Sequence, residues 1–213
     1  MKTTLIIVLS GLLFVGCSQK QQTPSTGLGS SHDSLVTQLD SQGYFKGFAP
    51  EKAQALKEDF RQKGWMAIFD ESPRYFAADG EDLAKSGICA FIREIQPFLS
   101  AQGVKLPDLQ DEASASGYVV RVGGVPHTIY DAKEMKGDIW GLASARGFAL
   151  VDKMLESAGS PERIYAINGG NDLFAIFLTP ELYQTISTQP DFDAKGGPYK
   201  LTEEAPWFGQ PHK

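Results

Sequence analysis

Two groups of carboxylates are the residues best suited to chemistry in this sequence, and each is confined to one short segment. The groups are Asp79, Glu81 and Asp82, and Asp131, Glu134 and Asp138. A pair of carboxyl groups facing each other across a cleft would act as acid and base in glycoside hydrolysis. Closeness in sequence does not create such a pair, and acidic residues are also typical of solvated turns and helix starts. The second interpretation is preferred, and a hydrolase that gathers carboxylates from separate turns is the alternative.

Other catalytic and metal-binding patterns are missing from the sequence. The histidines, His32, His127 and His212, are scattered and have no ligand spacing. No nucleophile elbow, phosphate-binding loop or dinucleotide fingerprint occurs. Cys89 lies in the apolar segment Gly87–Phe91, which predicts a buried, unreactive thiol. The sequence therefore predicts no catalytic residue, no metal and no cofactor.

Exposed loops on a rigid sheet are the most plausible binding positions that remain. Two predicted β-hairpins offer such loops. The candidate binding residues are Asn168, Asn171 and Asp172 at the tip of one hairpin, and Arg121, Tyr130 and Trp140 near the other.

The first hairpin occupies residues 160–181. Its strands, 164–167 and 173–178, are rich in β-branched and aromatic residues and almost continuously apolar, which indicates cover by helices on at least one face. Asn168-Gly169-Gly170-Asn171 joins them with residues that accept the positive φ of a tight turn.

The second hairpin turns on Gly123-Gly124, between strands 118–122 and 125–130. Pro126 favours an edge position for the returning strand. The polar residues 104–116 before it predict a surface loop.

Periodic apolar residues predict helices over 50–63, from about 79 to 103, over 140–158, and from 180 to 186. Pro97 interrupts the second of these, which predicts a kink or two abutting helices. The expected fold is α+β, with one antiparallel sheet built from the two Gly-Gly hairpins and helices packed on one face. Residues 91–103 and 148–159 are loosely alike and each precedes a hairpin, so a helix-hairpin duplication is one explanation and chance similarity is the other.

The N-terminus carries the clearest localisation signal. A basic start at Lys2 and an apolar run from Leu5 to Val15 lead into Val15-Gly16-Cys17. This resembles a bacterial lipoprotein signal peptide with its lipobox, in which Phe14 takes the position usual for Leu. The resemblance covers residues 1–18. It implies cleavage before Cys17, lipidation of Cys17, and sorting by Ser18 to the outer membrane, facing the periplasm. The alternatives are an ordinary secretory peptide or a membrane-spanning helix, and the apolar run is short against the ~20 residues a span needs.

The remaining chain divides by composition. The predicted organisation is a signal peptide (1–16), a lipidated Cys and flexible tether (17–33), one α+β domain (34–188) and a Pro/Gly/aromatic tail (189–213). The tail is expected to lay its aromatic residues over the domain, with disorder as the alternative.

Charge and the absence of catalytic patterns together favour a binding function. The formal net charge is −6, without a cluster of Lys and Arg, which argues against nucleic acid as a partner. The predicted function is therefore that of a lipid-anchored envelope protein that binds or inhibits a protein partner, as an immunity protein does. The alternatives are the hydrolase and a structural component of an outer-membrane complex.

Overall fold

The structure of the protein is a computed structural model that describes residues 28–212. The predicted signal peptide, the predicted lipidation site Cys17 and the predicted tether up to residue 27 lie outside the described residues. The helices are α1 (Leu28–Ser41), α2 (Pro50–Lys63), α3 (Gly80–Asp82), α4 (Ile88–Glu94), α5 (Gln96–Ala101), α6 (Ile139–Ser157) and α7 (Pro180–Ser187). The strands are β1 (Tyr75–Ala77), β2 (Leu109–Ser114), β3 (Gly117–Val122), β4 (Val125–Asp131), β5 (Arg163–Ile167) and β6 (Phe174–Leu178). The predicted α+β class is confirmed.

The strands form two antiparallel sheets, in the orders β1-β6-β5 and β2-β3-β4. The prediction of one sheet from both hairpins is therefore wrong. Each hairpin instead pairs with a third strand from another part of the chain. Strand β1 pairs with β6 of the β5–β6 hairpin, and β2 pairs with β3 of the β3–β4 hairpin. Edge pairing of this kind satisfies backbone groups that a two-stranded hairpin leaves open.

Helices cover the β1-β6-β5 sheet on both faces, so the prediction of helices on one face is also wrong. Ala175 and Phe177 of β6 face a core that includes α4, α5 and α6. Ile176 and Leu178 face a second core formed with α1, α2 and α7. The almost continuous apolar character of β6 follows from this double burial, since neither side of the strand meets water.

Strand β2 corrects the predicted surface loop at 104–116. Its side chains are mostly polar and exposed, and only Leu109 is buried. The strand forms because its backbone pairs with β3 along its whole length. A strand with one wet face at a sheet edge carries little apolar signal, which is why hydrophobic patterning does not find it.

The helix predictions agree more closely with the structure. Helix α2 runs from Pro50 to Lys63 and is followed by Gly64 at φ 61°. Pro97 lies in the first turn of α5, and the structure shows two abutting helices, one of the two outcomes predicted at this proline. Helix α1 begins at Leu28, which makes residues 28–33 helical where a tether was expected.

The two glycine pairs differ in their turns. Gly123 and Gly124 both have positive φ, 59° and 83°, and form the predicted two-residue turn. Between β5 and β6, however, positive φ occurs at Asn168 (58°) and Gly170 (60°), whereas Gly169 is extended. The predicted tight turn there is wrong, because a short 3-10 turn over Gly170–Asp172 lengthens the connection.

The C-terminal tail packs on the domain as predicted. Ala166 and Tyr199 exchange two backbone hydrogen bonds of 2.8 and 2.9 Å, which extends the β5 edge. The ring of Phe192 lies 4.9 Å from the ring of Trp65, and Phe208 is buried. Lys200 Nζ donates to Asp152 at 2.8 Å. These contacts fix the course of the tail over the sheet and α6.

Candidate functional site

The fold brings one of the predicted binding loops together with Trp140 and the tail. They surround a surface depression of about 120 Å³. We call this surface the tryptophan face; it is formed by Trp140, Gly169, Gly170, Pro206, Trp207 and Gln210. Asn168, Asn171 and Asp172 lie exposed in the same β5–β6 loop.

The N-terminus of α6 positions Trp140. The Asp138 carboxylate accepts a hydrogen bond from the backbone N–H of Gly141 at 3.0 Å, which caps the helix. The Ser144 hydroxyl donates to the Trp140 carbonyl at 2.8 Å. The Trp140 side chain is 37% exposed on this fixed turn.

The tail positions Trp207 through its neighbour Phe208. Phe208 lies against Gly141, where any Cβ would approach the ring to 2.3 Å. Only glycine at position 141 therefore lets the tail pack this closely. Trp207 stays 48% exposed and stacks on His212, with ring centroids 4.3 Å apart. Trp207 also borders a second depression, of about 450 Å³, which is lined by the tail.

Contacts with Tyr199 and Gly80 hold the β5–β6 loop in place. The Tyr199 hydroxyl donates to the Asn168 carbonyl at 2.5 Å. Gly80 comes so near to the Gly170 carbonyl that a Cβ would lie 3.0 Å from that oxygen. Three chain segments distant in sequence thus meet in one rigid surface.

Arg121 and Tyr130 do not join this surface. Arg121 Nε donates to Glu112 at 2.6 Å, and its Nη1 donates to the Gly124 carbonyl at 3.3 Å. Tyr130 is buried, and its hydroxyl donates to the Ala84 carbonyl at 2.8 Å. Tyr130 is therefore a core residue, which corrects its selection as an exposed binding residue.

One or two aspartates of each carboxylate group cap the start of a helix or 3-10 turn: Asp79 in the first group, and Asp131 and Asp138 in the second. The Asp79 carboxylate accepts from the backbone N–H of Glu81 at 2.9 Å, and Asp138 caps α6 as described. Asp131 accepts two backbone N–H groups at the start of the 3-10 turn at Glu134–Lys136. The preferred interpretation of these residues as helix starts is confirmed.

The pKa values of two of these carboxyls, Asp131 and Glu134, are lowered, which is opposite to the shift that a general acid needs. Glu134 accepts two hydrogen bonds from Arg146, at 2.9 and 3.0 Å, and these lower its pKa. Backbone N–H donors from Glu134 and Lys133 lower the pKa of Asp131. A general acid at neutral pH requires a raised pKa. Neither Asp131 nor Glu134 is therefore suited to be the general acid that the hydrolase alternative requires.

Cys89 is a poor nucleophile. Its side chain is 1% exposed, and burial together with the neighbouring Asp111 carboxylate raises the pKa of its thiol to about 12. The thiolate needed for attack is therefore scarce at neutral pH. This agrees with the predicted unreactive thiol.

The histidines stay apart in the structure. His32 Nδ1 donates to the Arg61 carbonyl at 2.9 Å, His127 is half-buried on β4, and His212 stacks on Trp207. Within residues 28–212, no group of three or more His, Cys, Asp and Glu side chains is arranged to hold a metal ion.

Sequence reasoning missed Trp207 as a site residue, although it had noted the aromatic content of the tail. The available signal was the pair Trp207-Phe208 beside Gly209, in which one ring could anchor and the other project.

Comparisons with protein-family models, curated proteins and solved structures find no match to this chain. None of the helices within residues 28–212 is long and apolar enough to cross a membrane.

Proposed function

We propose that this protein binds another protein through its tryptophan face while a lipid on Cys17 anchors it to the bacterial outer membrane, facing the periplasm. The observation that carries the proposal is the exposure of two tryptophans, Trp140 and Trp207, on one rigid surface. Tryptophan is enriched among the residues that dominate the free energy of protein binding.

Preorganisation supports this proposal. The two tryptophans project from backbone that is already fixed by the cap at Asp138 and by the packing of Phe208 on Gly141. Side chains and loops that are ordered before binding lose less conformational entropy on association. A surface of this kind suits a partner with a complementary apolar pocket.

The surrounding charges indicate the character of that partner. Asp172 lies in the β5–β6 loop, and Glu204 borders the second depression beside Trp207. Neither side chain forms an ion pair within residues 28–212. We therefore expect a partner with Lys or Arg at the rim of its apolar pocket, since complementary charge favours encounter and register.

A photocrosslinking side chain placed at position 207 tests the proposal in the intact cell envelope. The expected result is one dominant crosslinked protein, identified by mass spectrometry. Position 125 is the matched control, because Val125 is also an exposed apolar residue, 57% accessible, but lies on the Gly123-Gly124 hairpin. Equal crosslinking from both positions, or none from 207, would contradict binding through the tryptophan face.

The anchor is tested separately with Cys17→Ser. Loss of the lipidated thiol should move the protein from the membrane fraction to the soluble fraction, because the acyl chains supply the membrane affinity. Substitution of Ser18 is the control and should leave the protein membrane-bound. If Cys17→Ser stays in the membrane fraction as fully as the original chain, the lipoprotein proposal fails, whatever the crosslinking shows.

A further inference from the structure

An open cleft of about 440 Å³ lies away from the tryptophan face. It is bordered by the segment after α5, by β3 and β4, and by the C-terminal half of α6. Its apolar lining includes Val104, Val122, Leu150 and Met154. Clefts of this size and apolar character commonly hold small molecules.

The rim of this cleft is basic. Lys105, Lys153 and His127 line it, and among residues 28–212 no Asp or Glu does. The absence of acidic lining stands out in a chain with 26 acidic and 20 basic residues. Both lysines are exposed, and neither forms an ion pair within residues 28–212.

The acidic neighbours of Lys153 on α6 are engaged elsewhere. Asp152 binds Lys200 at 2.8 Å, and Glu156 pairs with Arg163 at 3.4 Å. The charge of Lys153 is therefore not neutralised by these acidic residues of α6.

The two lysines are also not needed to satisfy the backbone carbonyls at the helix ends beside the cleft. The backbone N–H of Ser160 donates to the Leu155 carbonyl at 2.9 Å at the end of α6. The N–H of Val104 donates to the Leu99 carbonyl at 3.0 Å after α5. Backbone donors thus satisfy terminal carbonyls that basic side chains satisfy in other helices.

We infer that this cleft binds an aliphatic carboxylate, with the hydrocarbon chain on the apolar floor and the carboxylate at Lys105 and Lys153. Apolar burial would supply affinity through the chain, and charge-assisted hydrogen bonds would fix the head group at the rim. The inference concerns a different surface from the proposed protein interface and does not depend on it.

Decanoate, below the concentration at which it forms micelles, is the probe. Titration of the Cys17→Ser chain, followed by calorimetry and by backbone amide NMR, should give saturable binding with shifts centred on Val104, Val122 and Met154. The double variant Lys105→Gln/Lys153→Gln should weaken binding by about tenfold or more, since each lysine can supply a charge-assisted contact.

Lys133→Gln/Lys136→Gln is the matched control, because it also removes two exposed lysines but none from the cleft. It should leave the decanoate Kd unchanged. Decyltrimethylammonium, with the same chain length and a positive head group, should bind much more weakly than decanoate.

Three results would overturn the inference: no saturable decanoate binding, equal affinity for the cationic and anionic probes, or no effect of removing Lys105 and Lys153. Because all lysine substitutions lie on exposed positions, unchanged thermal unfolding should accompany them. Crosslinking from position 207 tests the protein-binding proposal whatever the decanoate experiments show. Failure of the carboxylate-binding inference is therefore distinct from failure of the protein-binding proposal.

Discussion

Replacing Arg74 with Met should lower the free energy of unfolding by about 3–5 kcal/mol. Arg74 is 4% exposed, and its guanidinium binds Glu162 at 2.8 Å and the carbonyls of Tyr44, Phe177 and Gly43. It therefore joins the segment after α1 to β6 and to Glu162, the residue that precedes β5. Its removal would leave the buried Glu162 carboxylate and the carbonyls of Tyr44 and Phe177 without this donor, whereas the Gly43 carbonyl still accepts from the Lys46 N–H at 3.0 Å.

Much of the expected loss of stability comes from the charge that Arg74→Met leaves unpaired on Glu162. The Oε2 atom of Glu162 has no hydrogen-bond partner within residues 28–212. Even in the original chain, the contacts of the ion pair therefore do not fully offset the free-energy cost of removing its charges from water. The double variant Arg74→Met/Glu162→Gln should regain part of the lost stability by removing the stranded charge. It should not regain all of the lost stability, because the carbonyls of Tyr44 and Phe177 still lack the Arg74 donor.

Urea unfolding followed by circular dichroism measures these differences. Arg61→Met is the control, since Arg61 pairs with Asp33 and Glu58 at the surface, where ion pairs contribute little. If Arg74→Met does not fold, Arg74→Lys provides a milder step with an intermediate loss. Similar stabilities for the Arg74 and Arg61 variants would show that the buried pair does not hold the segments together.

Trp140→Ala and Trp207→Ala should each weaken binding of the crosslinked partner by roughly 30-fold or more. This corresponds to a loss of about 2 kcal/mol or more, the range of a binding hot spot. Both side chains are at least one-third exposed before binding, so their truncation should cost the partner contact far more than the fold. Surface plasmon resonance with the purified partner would give the Kd values.

Val125→Ala is the control for loss of an exposed apolar side chain and should leave the partner Kd unchanged. The third tryptophan, Trp65, is 3% exposed and donates to the Asp191 carbonyl. In the double variant Trp140→Ala/Trp207→Ala, Trp65 is the one tryptophan left. A blue-shifted tryptophan fluorescence emission should therefore show that the core around Trp65 is intact. Unchanged partner affinity in that folded variant would refute the tryptophan face as the interface.

Local structure was predictable wherever a few neighbouring residues decide the backbone. Gly123 and Gly124 both take positive φ, so the turn between β3 and β4 follows from residue type. Helix α2 similarly begins at Pro50 and ends before Gly64. Asp79 and Asp138 cap helices for the same local reason.

Pairing between distant segments was not predictable in this way. Strand β2 is polar and becomes a strand through its long pairing with β3, and β1 is short and depends on β6. The β5–β6 loop also departs from its predicted turn, since Gly170 packs against Gly80 and the Tyr199 hydroxyl donates to the Asn168 carbonyl. Contacts of this kind depend on the shape of the whole core rather than on sequence periodicity.

The sequence by itself determined the α+β class, most helix positions, one tight turn and the unreactive setting of Cys89. Only the tertiary structure decided that Trp140 and Trp207 share a surface and that Tyr130 does not. The physical reason lies in close packing: Phe208 fits over Gly141 because that position has no Cβ. That single contact carries the tail to α6 and leaves the neighbouring tryptophan exposed beside the β5–β6 loop.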